Sequence, residues 1–141
     1  MIRIGITGGM GAGKSVISEM MRCLGIPVYD ADFASKKILN SNTKVKTQLI
    51  ELLGEEIFSN GQLIRPLMAE RIFKNNELLL KTNAIIHPAV FDDFIAWSEA
   101  QNKEVVACET AILFESDMVS YFDSILMVSA PLEIRIERCI K

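Results

Sequence analysis

Ile2, Ile4 and Ile6 open a short β-rich run that ends in the cluster Gly8-Gly9-Met10-Gly11-Ala12-Gly13. From Lys14 to Leu24 the pattern becomes that of a helix, stopped by Gly25. Ile26-Pro27-Val28-Tyr29-Asp30 predicts a second strand, with Pro27 near its start where a missing N–H does least harm. A polar helical stretch follows from Ala31 to Leu39. Between about Lys44 and Asn102 the period is helical, through Val45, Leu49, Leu52 and Leu53, then Leu67, Met68, Ile72 and Phe73. Asn60-Gly61 interrupts it as a tight turn. Pro88 is expected at the start of a further helix, with Val90, Phe91, Phe94, Ile95 and Trp97 as its apolar face. Buried strands return at Val105 to Cys108 and Ser124 to Val128, and Ala130-Pro131 opens a last, charged helix. Strands thus flank a helical insert, with no internal repeat and no low-complexity linker. The predicted fold class is α/β, a parallel sheet flanked by helices.

Half of the 141 residues are apolar, enough to build one packed α/β unit and too many for a disordered chain. The net charge of −3 comes from interleaved acids and bases. No Lys/Arg run offers a track for nucleic acid or an anionic membrane, so neither is expected as a partner. Oligomeric state is left open. Cys23, Cys108 and Cys139 lack the C-x-x-C spacing of metal or redox sites and read as buried free thiols. The glycine-rich start does not match a signal peptide, and no run reaches the ~18 apolar residues of a membrane span. A cytoplasmic location is expected.

Gly8-x-x-x-x-Gly13-Lys14-Ser15 matches the phosphate-binding loop G-x-x-x-x-G-K-[ST]. Small residues let successive backbone N–H groups turn inward on phosphates, and the following helix adds its positive end. Gly9, Gly11, Ala12, Gly13, Lys14, Ser15 and Val16 form the candidate nucleotide-binding set. Lys14 is placed to reach the β and γ phosphates, and the Ser15 hydroxyl to ligate Mg²⁺. ATP and Mg²⁺ are therefore the expected cofactors.

Asp30 and Asp32 fall where the second strand ends and a helix begins, the edge of an α/β sheet at which ligands bind. A carboxylate there serves either a kinase site, as a base for an attacking hydroxyl or a holder of the metal through water, or the helix itself, as a cap. The residues alone leave both readings open.

The strings Ile6 to Ser15 and Leu24-Gly25-Ile26-Pro27-Val28-Tyr29-Asp30-Ala31-Asp32 resemble the opening of the dephospho-coenzyme A kinase family. The likeness continues through Ile64-Arg65, Ile86-His87-Pro88, Ile112-Leu113-Phe114-Glu115 and Pro131 to Arg138, so that it spans essentially the whole chain. The resemblance implies a P-loop NTPase core at residues 1–35 and 103–141 and a helical substrate-binding insert at 36–102. It implies ATP-dependent phosphorylation of the ribose 3′-hydroxyl of dephospho-coenzyme A, with Asp32 as the base, Lys14 on the migrating phosphoryl group, and Arg65, His87 and Glu115 in or beside the substrate site. Val16 and Ala111 depart from the family pattern, which has a hydroxyl residue at the first position and a proline at the second. Lys141 falls where the family's lid begins, so a chain shortened at its C-terminal end is expected. The charges from Glu133 to Lys141 read as a solvated helix face. Two other readings share the loop. One is another small-molecule or nucleoside-monophosphate kinase, the other a nucleotide-binding module without an acceptor.

Overall fold

A computed structural model describes residues 1–141. The chain divides into two compact units, Met1–Asp32 with Phe94–Lys141, and Phe33–Asp93.

The first unit is built on four parallel strands, β1 (Ile2–Thr7), β2 (Val28–Asp30), β5 (Val105–Glu109) and β6 (Ser124–Met127), in the order β2-β5-β1-β6. Strands covered on both faces carry continuous apolar runs instead of alternation. Val106, Ala107 and Cys108 accordingly have no exposure at all. Helix α1 (Lys14–Cys23) lies on one side, where Ile17 and Met21 pack on the cluster of Ile6, Val28 and Ala107. A second apolar cluster joins Tyr29, Phe94, Trp97 and Phe122, with ring centroids 5.3 to 6.2 Å apart. The connection out of β1 leads towards β2, whereas the one from β5 crosses β1 to reach β6. Such a reversal opens a crevice at the C-terminal end of the central strand, which is where ligands bind in open α/β sheets. The charged helix α6 (Leu132–Ile140) ends the unit.

The second unit holds most of α2 (Ala31–Ser41), then α3 (Thr43–Leu53), a short 3-10 turn at Glu55–Ile57, the two-stranded hairpin β3 (Phe58–Ser59) and β4 (Gln62–Leu63), α4 (Arg65–Phe73) and most of α5 (Asn76–Ala100). Val45, Leu49 and Leu53 form the buried stripe of α3 at a four-residue spacing. The expected turn at Asn60-Gly61 is present with both residues at positive φ (52° and 75°), the left-handed pair that matches hairpin twist. It joins two strands that a helical reading of this stretch does not include. Each strand has only two residues, too few for a period of two to register.

Pro88 is not at a helix start but inside the 25-residue α5. Proline removes one helical hydrogen bond, that to the carbonyl four residues earlier. Here that residue is Ala84, which like Pro88 is exposed, so water meets the freed carbonyl while Ile86, Val90 and Phe94 stay buried on the other face. The thiols also differ from expectation, since only Cys108 is buried and Cys23 and Cys139 are exposed. No helix is long and apolar enough to cross a membrane.

Candidate active site

The loop between β1 and α1 follows from its glycines. Gly11 and Gly13 hold φ of 74° and 105°, a region closed to most side chains, and the amide of Ala12 closes a turn on the Gly9 carbonyl at 3.1 Å. Gly13 is the N-cap of α1 and supplies no side-chain acceptor. The first amides of the helix are left for a ligand, and the helix dipole favours an anion there. Residues 11–17, with Val128 and Arg138, line a cavity of about 530 Å³ at this helix end. Lys14 donates from Nζ to the carbonyls of Gly8 (2.8 Å) and Gly9 (3.3 Å), which folds its ammonium over the mouth of the loop. The Val16 side chain is exposed, so this residue can serve a nucleotide only through its backbone in the first turn of α1.

A residue absent from the sequence-based set stands beside Ser15. Glu109 ends β5 and pairs in register with Ile6 of β1 on one side and Asp30 of β2 on the other. Ser15 donates to its Oε1 at 3.2 Å and Ser18 to its Oε2 at 2.6 Å. The signal for it in the sequence is an acidic residue terminating the apolar run Val105 to Cys108. Asp30 closes β2, and Asp32 lies in the first turn of α2, both exposed. The Cys108 thiol registers all three carboxylates. Burial pushes its pKa far up from the usual value, and the negative charges of Asp30, Asp32 and Glu109 push it further.

Helix α6 is not a solvated face throughout. Arg135 donates from Nε to the Met10 carbonyl at 3.0 Å, and Arg138 donates to the Gly11 carbonyl at 3.1 Å. A Cβ on Gly9 would land on the Arg135 guanidinium. Helix and loop are thus in direct contact, and the loop's outward carbonyls are met by cations.

The structure therefore brings Lys14, Ser15 and the acidic strand ends to one edge of the sheet. Glu115 is exposed in the turns after β5, next to the exposed Phe114, while Leu113 between strand and turn is fully buried. Arg65 is the exposed first residue of α4 and His87 a half-buried residue of α5, both in the second unit.

The family model described as dephospho-CoA kinase matches residues 2–141. The dephospho-CoA kinase of Bacteroides fragilis strain YCH46 is 42% identical over 141 residues, which cover 99% of this chain and 69% of that protein. That of Porphyromonas gingivalis is 44% identical over 138 residues, 98% of this chain and 68% of the other. Among solved structures, TT1252 from Thermus thermophilus superposes with a TM-score of 0.85 at 31% identity, covering 99% of this chain and 71% of its own. The dephospho-CoA kinase of Campylobacter jejuni has the same fold, with a TM-score of 0.67 at 16% identity over 98% of this chain and 93% of its own. With a phosphate loop, an acid on the neighbouring strand and a match that runs almost from end to end, the chain belongs to the dephospho-CoA kinase family.

Proposed function

We propose a residue-level account of the reaction of this dephospho-CoA kinase, the ATP-dependent phosphorylation of dephospho-CoA in coenzyme A synthesis. The observation that carries it is the open N-terminus of α1, with Lys14 folded over the loop and Ser15 held against Glu109. The amides of residues 11–16 hold the β and γ phosphates of ATP, and Lys14 leaves the Gly8 and Gly9 carbonyls to meet the γ-phosphoryl group. Asp32 takes the proton from the ribose 3′-hydroxyl of the acceptor. That oxygen bonds to the γ phosphorus as the bond to the β–γ bridging oxygen breaks, which releases ADP.

The hydroxyl of Ser15 and the carboxylate of Glu109 are hard oxygen donors 3.2 Å apart, a pair that fits Mg²⁺. Held by these two residues, the ion would supply positive charge that offsets the negative charge of phosphoryl transfer. Asp30, next to Glu109 in register, adds to the negative field that attracts it. We assign nucleotide binding to the core, residues 1–35 and 103–141, and acceptor binding to the insert, residues 36–102, with Arg65 and His87 contributing from the insert and Glu115 from the core. Arg65 offers a cationic fork suited to phosphate. The cytoplasm, where ATP is supplied, is the proposed place of the reaction.

ADP release with ATP and dephospho-CoA, shikimate or nucleoside monophosphates in turn tests the acceptor, and only the first should support turnover. Asp32→Asn should lower that turnover by about 10²-fold while triphosphate affinity holds, because the amide keeps the shape and loses the base. Asp30→Asn should lower it less. The reverse order would place the base on Asp30.

A further inference from the structure

Ser18 is a hydroxyl in the middle of a helix with no exposure at all. A serine there ordinarily turns back on the carbonyl four residues earlier. This one instead reaches the end of β5, a residue 91 positions away, and donates to Glu109 Oε2 at 2.6 Å. It lies three residues after Ser15, and therefore on the same side of α1. The two hydroxyls take one carboxylate oxygen each.

The two bonds differ in kind. That from Ser18 is short, charge-assisted and given by a fully buried hydroxyl, whereas that from Ser15 is longer and exposed. Ser15 can therefore exchange its partner for a cation while Ser18 keeps its own. Glutamate has three side-chain torsions to fix, and a single buried donor at its far end removes most of that freedom. We infer that Ser18 is a positioning residue, which locks the Glu109 carboxylate in the orientation that receives Mg²⁺ and so sets the affinity for the ion without touching the nucleotide. The inference rests on the reading that Glu109 and Ser15 hold the ion.

The experiment uses the whole chain with a non-hydrolysable ATP analogue, and reads bound Mn²⁺ by electron paramagnetic resonance and Mg²⁺ by competition. Ser18→Ala should raise the Mg²⁺ concentration for half-saturation about tenfold, the low end of what outer partners of metal ligands contribute. Metal-free binding of the analogue should stay unchanged, and turnover lost at limiting Mg²⁺ should return when Mg²⁺ is raised. Glu109→Gln should shift the metal at least as far, and the double variant no further than Glu109→Gln alone. A shift in Glu109→Gln with none in Ser18→Ala would overturn the positioning role and leave Glu109 as the metal holder. No shift in Glu109→Gln would overturn both. A loss in Ser18→Ala that Mg²⁺ does not relieve would mark a structural serine and overturn the inference too. Should the alanine variant not fold, Ser18→Cys keeps the volume with a weak donor and should show a smaller shift of the same sign, with no shift counting against the inference.

Discussion

In the first unit, helix α1 begins at Gly13 with φ of 105° and no side chain to cap it, whereas in the second unit α3 begins at Asn42, whose carboxamide accepts the Val45 amide at 3.1 Å. Both helices face the same orphan amides at their first turn. The second unit closes them with its own side chain and gains stability. The first leaves them open beside a lysine and closes nothing, which is a loss for a helix and a gain for a phosphate site. The same contrast holds for cations. Arg71 of α4 donates to the Leu53 carbonyl and to Glu56, an internal tie, whereas Arg135 and Arg138 meet the carbonyls of the phosphate loop. At these helix starts and arginines, the first unit leaves its amides uncapped and turns its cations onto a loop, whereas the second unit ties both into its own packing.

Substitution of Lys14 separates these two roles most sharply. Lys14→Ala removes the cation expected on the migrating phosphoryl group, and turnover should fall by about 10³-fold or more. Thermal stability should move little, because of the two carbonyls that Lys14 meets, that of Gly9 is at an exposed residue and that of Gly8 at one only half-buried. Turnover near wild type in the folded variant would refute the phosphate-loop assignment. Gly11→Ala comes next and joins both roles. Its Cβ would sit 2.7 Å from the Arg135 carbonyl and 3.1 Å from Cys139 Sγ, at a φ of 74°. The left-handed conformation alone costs about 1 to 2 kcal/mol for an L-residue. Both triphosphate affinity and melting temperature should drop, the affinity by about tenfold if that cost falls on the bound loop. An unchanged affinity would mean that loop and α6 are not coupled. Asn42→Ala should do the opposite of Lys14→Ala, with about 1 kcal/mol lost in denaturant unfolding and turnover per folded molecule retained.

How much of this was legible beforehand follows from sequence distance. The glycines, Lys14 and Ser15 lie within eight residues of one another, and Asp30 and Asp32 within three, so a motif captures their chemistry. Ser18 and Glu109 meet across 91 residues, and Arg135 meets Met10 across 125. Those contacts depend on the order β2-β5-β1-β6, which places β5 beside β1, and no local pattern encodes that order. The core strands were legible because β1 repeats isoleucine at positions 2, 4 and 6, and β5 and β6 carry the apolar runs Val105 to Cys108 and Ile125 to Met127. Pro88 misled because proline usually marks a helix start, and here the packing of Ile86, Val90 and Phe94 outweighs one lost hydrogen bond. Arg135 and Arg138 were indistinguishable in sequence from a charged outer face.

An effect of the same size as that of Asn42→Ala, but of opposite sign, is expected at Thr82. Thr82, in the part of α5 that belongs to the second unit, is 1% exposed, and its Oγ1 has no hydrogen-bond partner. Ser98, in the part that belongs to the first unit, shows the usual solution to the same burial, since its hydroxyl donates to the Ile95 carbonyl at 2.8 Å and accepts from Arg3 Nε at 3.3 Å. An unsatisfied buried hydroxyl costs about 1 to 3 kcal/mol. Valine has nearly the same shape and a similar helix propensity, and it replaces the hydroxyl with a methyl group. Thr82→Val should therefore stabilise the protein by about 1 kcal/mol, which for a chain of this size raises the melting temperature by roughly 3 °C. Turnover should be unaffected at temperatures where both proteins are folded. A lower melting temperature in the valine variant would show that the hydroxyl is bonded in solution, and the second unit would then hold a polar tie of the kind otherwise seen at Ser98.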